Sequence, residues 1–151
     1  MKLQLEWGRP VRLVDASQEN MLYGVDLSRV SEEAGIYIFG RQYGQKFEAL
    51  YVGQALRLRT RVKQHLNNLK RMKHLDDAKT GKRVVLGGTL ITRQGQRLEK
   101  CLDIAERALI RHFLSEGHDL VNKQGTKLRQ HEILSSGKHR KRSFPKSIFV
   151  A

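Results

Sequence analysis

Arg61 and His65 stand four residues apart in a segment of helical period, which sets a permanent cation and a titratable imidazole one turn apart on one face. Two tyrosines precede them, Tyr37 in GIYIF and Tyr51 in ALYV. Packed beside those runs, the helix face brings guanidinium and imidazole towards two phenols, groups that neutralise an anion and move protons next to it. Farther on, Glu106 lies at the edge of an apolar helical stripe. A carboxylate bordering a buried face is costly unless a cation meets it, and Arg107, Arg111 or solvent are its local partners.

The elements that must position these groups are legible from period and punctuation. Gly35, Ile36, Tyr37, Ile38 and Phe39 form one apolar, β-branched and aromatic run, and Ala49, Leu50, Tyr51 and Val52 a second. With Gln42, Gly44, Gln45 and Lys46 between them as a polar loop, they predict a β-hairpin. After Gly53 the period changes. Leu58, Val62, Leu66, Leu69 and Met72 mark the apolar stripe of a helix, with Arg57, Arg61 and His65 stepping by four along a neighbouring face. Arg57, Arg59, Lys63, Lys70 and Arg71 suit either a solvated basic face or phosphate contact.

HLDDAKTGKR reads as a turn or short loop. Val84, Val85 and Leu86, then Thr89 to Thr92, predict a third strand broken at Gly87-Gly88, where paired glycines favour a bulge or a close backbone approach. Leu98, Cys101, Leu102, Ala105, Ala108, Leu109 and Phe113 predict an amphipathic helix over about 96–114, stopped by Gly117. His112 falls on its outer face and His118 in the loop beyond. Upstream, Leu3 and Leu5, then Val11, Leu13 and Val14, suggest one or two strands leading into the hairpin. Trp7, the only tryptophan, reads as a large residue sealing one edge of the core, in preference to stacking on a base.

Composition sets the outer bounds. The chain has 151 residues and 39% hydrophobic content, which suits one compact domain. Its formal net charge of +14 points to a polyanionic partner. Nucleic acid is preferred to anionic lipid, because no basic stretch is paired with the exposed aromatic face of an interfacial helix. The single cysteine, Cys101, excludes an internal disulfide framework or a cysteine zinc site and reads as core. No apolar run resembles a signal peptide or spans a bilayer, so a cytoplasmic protein is expected.

From Lys123 onward cations dominate. Such a charge run reads either as a flexible basic tail or, the preferred reading, as an extension anchored by Ile133-Leu134 and Ile148-Phe149-Val150 that leaves residues 138–142 as an exposed loop. Lys138, Arg140, Lys141 and Arg142, with Arg57 and Lys63, are therefore candidate contacts to nucleic acid.

Read together, these residues resemble the GIY-YIG nuclease superfamily. Gly35-Ile36-Tyr37 matches the first half of its signature and Tyr51-Val52-Gly53 the second; Arg61, His65, Glu106 and Asn122 follow in the family's order. The resemblance covers about 35–122. The stretch between Glu106 and Asn122, which includes SEGHD, is longer than in the excision-repair incision nucleases of the superfamily, and no zinc-finger or helix-turn-helix reader of the homing-nuclease kind is appended.

Phosphodiester hydrolysis needs an activated water, neutralised non-bridging oxygens and a stabilised leaving oxygen, and a metal supplies the last two. The resemblance implies that Tyr37 helps deprotonate the water, which demands a phenol pKa below its usual value near 10. It implies that Tyr51 orients water or phosphate, Arg61 contacts the scissile phosphate, and His65 bonds the tyrosine or relays its proton. It further implies that Glu106 holds Mg²⁺ or Mn²⁺ and that Asn122 completes the catalytic set or braces a loop.

The expected protein is thus a single α/β (α+β) domain with a small, mainly antiparallel three-stranded sheet flanked by helices. Its core spans about 31–122, with an N-terminal extension over 1–30 and a basic C-terminal extension over 123–151. The expected function is that of a metal-dependent DNA endonuclease, monomeric or homodimeric and without a membrane partner. A non-catalytic nucleic-acid-binding module on the same scaffold and a structure-specific RNA nuclease are the rival readings.

Overall fold

The computed structural model describes residues 2–16, 18, 23–68, 81–121, 131–134, 136–137 and 145–150. Leu69, Lys70, Arg71, Met72, Asn122, Lys138, Arg140, Lys141 and Arg142 lie outside the described residues. In chain order the strands are β1 (Gln4–Trp7), β2 (Val11–Arg12), β3 (Val14–Asp15), β4 (Tyr23–Gly24), β5 (Gly35–Tyr43), β6 (Lys46–Ala55), β7 (Lys82–Ile91), β8 (His131–Leu134) and β9 (Ser147–Val150). A 3-10 turn, Leu27–Arg29, precedes β5; helix α1 (Leu58–Leu66) follows β6, and helix α2 (Leu98–Ser115) follows β7.

The hairpin β5–β6 is longer than its apolar runs suggest. The polar stretch expected to be loop is mostly strand, and only Gly44 and Gln45 turn, with Gly44 at φ 61°, a conformation glycine adopts without strain. The fold is mixed α/β and its strand pairings are antiparallel. Among the described residues the main sheet has five strands, not the three expected: its order is β1-β7-β5-β6, with β2 also on β7. The N-terminal strands do not lead into the hairpin. They cover the outer edge of β7, where an unpaired row of N–H and C=O groups would otherwise face outwards.

The break expected at Gly87-Gly88 is absent, since β7 runs unbroken in register with β5. Gly88 serves close approach instead. A Cβ on Gly35 would strike the Gly88 carbonyl, and a Cβ on Gly88 would come within 2.9 Å of the Trp7 ring. The register shift falls in the hairpin, between Phe39 and Gly40: Phe39 pairs with Tyr51 and Gly40 with Ala49, leaving Leu50 as the extra residue. A bulge re-aims side chains. This one turns Leu50 to the face of Tyr37 and Phe39, next to Tyr51, which alternation already places there.

Each sheet face carries its own core. Tyr37, Phe39, Leu50, Ala55 and Val85 pack with Leu58, Val62 and Leu66 of α1. Ile36, Ile38, Ala49, Val52 and Leu90 pack with Cys101, Leu102, Ala105, Ile110 and Leu114 of α2. The stripe of α2 differs from expectation at four positions: Leu98 and Ala108 are exposed, and Ile110 and Leu114 are fully buried. Helix α2 ends as expected at Gly117, whose φ of 87° lets Gly117 N–H reach Leu114 O at 3.1 Å and His118 N–H reach Phe113 O at 2.9 Å. The C-terminal anchors form the hairpin β8–β9, but only Phe149 docks, its ring against Gly117; Ile133, Leu134, Ile148 and Val150 stay exposed.

Candidate active site

Strand alternation turns Tyr37 and Phe39 to the α1 face, and with them Tyr51, the cross-strand partner of Phe39. Helix α1 lowers His65 onto them from the turn before its C-terminus. The four rings make one nest: Tyr37 and Tyr51 stack at 6.0 Å, Tyr51 and His65 meet edge-on at 4.5 Å, and Phe39 lies 4.6 Å from His65. Tyr37 and His65 are 2% and 3% exposed. Between them the Tyr37 hydroxyl lies 3.4 Å from His65 Nδ1. With His65 neutral and its proton on Nε2, Nδ1 accepts from the phenol.

Room for that hydroxyl comes from Gly53, the cross-strand partner of Tyr37 on β6. A Cβ on Gly53 would sit 2.5 Å from the Tyr37 hydroxyl, so no other residue fits without moving the ring. On the other side Tyr37 pairs with Gly87 of β7. The phenol thus stands in a lane with glycine on both flanks.

The cations of α1 divide by use. Arg59 donates to Val30 O at 3.0 Å and pairs with Glu32 at 3.0 Å, which pins α1 to the segment before β5 and makes it structural. Arg57, Arg61 and Lys63 are exposed, and Arg61 donates to Gln64 Oε1 at 3.5 Å. The helix therefore carries Arg61 at solvent and His65 in the core, although one turn separates them.

Glu106 is half-buried on α2 and meets the sheet from the opposite face. Gln54 Nε2 donates to Glu106 Oε2 and to Asp103 Oδ1, each at 2.6 Å, so one amide nitrogen holds two carboxylates together. Burial pushes the Glu106 carboxyl above its ordinary range; the Gln54 bond pulls it down, Asp103 adds to the rise, and Arg107 opposes it. Arg107 is thus a weak neighbour and Gln54 the main partner. Gln54 follows Gly53 directly, so two consecutive residues of β6 back the phenol on one face and the carboxylates on the other.

Gln54 and Asp103 are not among the residues expected from sequence. A signal for Asp103 is present, since it stands three residues before Glu106 on one helix face. His118, expected only as a loop residue, also braces the fold. Its Nδ1 accepts from Ala49 N–H at 2.8 Å and so tethers the end of α2 to the outer strand of the sheet. His112 is exposed and Cys101 buried, as expected. Among the described residues no three His, Cys, Asp or Glu side chains converge, and no helix is long and apolar enough to cross a membrane. Comparison with models of known families, with curated proteins and with solved structures finds no match to this chain.

Proposed function

We propose that this chain is a metal-dependent nuclease of the GIY-YIG kind, hydrolysing phosphodiester bonds in DNA in preference to RNA. The observation that carries the reading is the Tyr37–His65 pair. A phenol aimed at an imidazole acceptor from within an aromatic nest can take a proton from water and pass its own to Nδ1. Tyr51, the less buried of the two stacked tyrosines, borders that path. Arg61, exposed on the same helix, is free to meet the phosphate, and Arg57 and Lys63 extend its field along the strand.

The donor set on α2 fits a hard divalent cation. Mg²⁺ and Mn²⁺ sites of this class use one or two carboxylates completed by substrate oxygens and waters, and Asp103 and Glu106 already converge on one point, the Gln54 amide nitrogen. When bound, such an ion would neutralise the scissile phosphate and stabilise the leaving oxygen. Glu106 and Asp103 would hold it; Gln54 would orient both.

The competing reading is a non-catalytic nucleic-acid-binding module. What favours it is the division of the groups: Glu106 approaches from the α2 face, while Tyr37 and His65 lie on the α1 face. Cleavage of duplex, flap, branched and RNA substrates with Mg²⁺ or Mn²⁺, alongside binding by fluorescence anisotropy, tests the two. Glu106→Ala should abolish cleavage with fold and binding retained, and Tyr37→Phe should slow the chemical step by about two to four orders of magnitude. A wild-type chain that binds these substrates and cuts none of them is a binding module. Cleavage confined to the RNA arm makes it an RNA nuclease.

A further inference from the structure

Helix α2 sorts its charges by side. Lys100, Arg107 and Arg111 stand seven and four residues apart, so at 3.6 residues per turn they fall within roughly 40° of one line and about 10 Å and 6 Å apart along it. All three are exposed. The acids of the helix, Glu99, Asp103 and Glu106, lie to one side of that line, roughly 60–120° round the axis from Lys100. Asp103 and Glu106 are both held by Gln54, and Arg107 only tempers the Glu106 carboxyl. The ion pairs among the described residues are Arg41–Glu48 and Arg59–Glu32, and neither involves the line.

Arg107 and Arg111 are like charges at i and i+4, an arrangement that costs a helix stability unless an anion lies across it. A phosphate backbone laid along the line supplies that anion and releases its counterions. An anionic membrane does not fit as well, because the apolar face of α2 is packed on the sheet and no face is left to insert. The other set of exposed cations, Arg57, Arg61 and Lys63, belongs to α1. Helix α1 packs on the Tyr37 face of the sheet and α2 on the Ile36 face, so the two sets lie on opposite outer layers. A straight duplex resting on one layer does not reach the other. Two arms that diverge from a branch do.

We propose that Lys100, Arg107 and Arg111 form a second phosphate track, and that the substrate is a branched duplex with one arm along α1 and the other along α2. The inference rests on the nucleic-acid part of the proposed function and not on catalysis. It names the substrate class, and it gives the division of the groups a use. Gly53 and Gln54 are consecutive on β6, which ends the sheet, and back the Tyr37 hydroxyl on one face and the carboxylates on the other. A branch point at that strand meets both.

The full chain is titrated in EDTA, by fluorescence anisotropy at several salt concentrations, with a three-way branched DNA and with a linear duplex of the same number of base pairs. Joining two arms makes the second contact intramolecular, so the branched form should bind at least about tenfold tighter. Replacing Lys100, Arg107 and Arg111 together by Gln keeps a good helix former at each exposed position. This triple variant should lose the preference, with the linear duplex still held by α1 to within about twofold of wild type. On the branched DNA its log–log salt slope should flatten by about 0.9 for each phosphate no longer neutralised, and Arg111→Gln alone should show one such step. Arg57→Gln with Lys63→Gln should flatten the same slope from the other layer. The track is overturned if wild type binds the two forms equally, if the triple variant keeps the preference, or if it weakens both forms by the same factor, as a diffuse field would. Because binding is read without metal, cleavage in Mg²⁺ with no branched preference sinks the track alone, and a branched preference with no cleavage in Mg²⁺ sinks the nuclease alone.

Discussion

The two faces of the main sheet hold their polar groups by different physics. On the α1 face, Tyr37 and His65 are fixed by shape: ring against ring, with Tyr51 stacked from the neighbouring strand, and a glycine where the hydroxyl needs space. On the α2 face, Glu106 and Asp103 are fixed by hydrogen bonds to one amide. A group positioned by shape fails when something displaces it. One positioned by charge and hydrogen bonding fails when its ionisation changes. Disturbing each face in its own way therefore separates their contributions.

The largest effect is expected from Gly53→Ala. The added methyl must share space with the Tyr37 hydroxyl, and β5 has little slack between β6 and β7. Overpacking of this kind costs about 1–3 kcal/mol, and the displaced phenol loses its approach to His65. Thermal unfolding should show a lower Tm, and single-turnover cleavage should fall at least as far as in Tyr37→Phe. A Gly53→Ala chain with wild-type rate and Tm would show that the lane beside Tyr37 is not what positions it.

That glycine marks how far the sequence is readable. The hairpin, α1 and α2 follow from runs of apolar residues, because local period and burial agree there. The tyrosines and His65 come together because strand alternation and helical spacing both point them to one face. What stays hidden depends on tertiary register. Nothing local says that Leu50 is a bulge residue or that β1 and β2 cover β7, and nothing local decides between the bulge and the close approach that Gly87-Gly88 permit. Gln54 and Asp103 are hidden for the same reason, since an amide on a strand meets a helix fifty residues away only once the layers have packed. Residues 1–30 carry the faintest local pattern, and their strands are the ones that cover β7.

A smaller effect distinguishes the α1 face from the cations of the C-terminal extension. Arg61 acts at one phosphate in the proposed mechanism, whereas Lys138, Arg140, Lys141 and Arg142 add affinity by counterion release. Arg61→Ala should cut the saturated single-turnover rate by roughly a hundredfold and barely alter the salt slope. Neutralising the four C-terminal cations should flatten the salt slope and raise KM, with the saturated rate little changed, because uniform binding leaves the chemical barrier where it was. Loss of saturated cleavage in the C-terminal variant would make that segment part of the active site.

The smallest effect is a pair of opposed pH slopes. Burial holds the His118 imidazole below its ordinary value of 6.5, against the pull of Glu48. Neutral His118 accepts the Ala49 N–H; the folded chain then binds fewer protons there than the unfolded one, and the stability it contributes is fully present above 6.5 and lost as pH falls through the folded value. Glu106 has the reverse sign. Its carboxyl is raised above 4.5 by burial, so its contribution is present below 4.5 and lost as pH rises through the folded value. Tm should therefore fall on acidification below pH 6.5 in a His118-dependent way, and Glu106→Gln should raise Tm at neutral pH while removing cleavage. Tm measured against pH for wild type, His118→Gln and Glu106→Gln resolves the two. If the His118→Gln curve keeps the wild-type acid slope, the tether between α2 and β6 is not titrating. If Glu106→Gln is no more stable at neutral pH, the α2 face carries its carboxylate without cost, and the contrast between the two faces rests on shape alone.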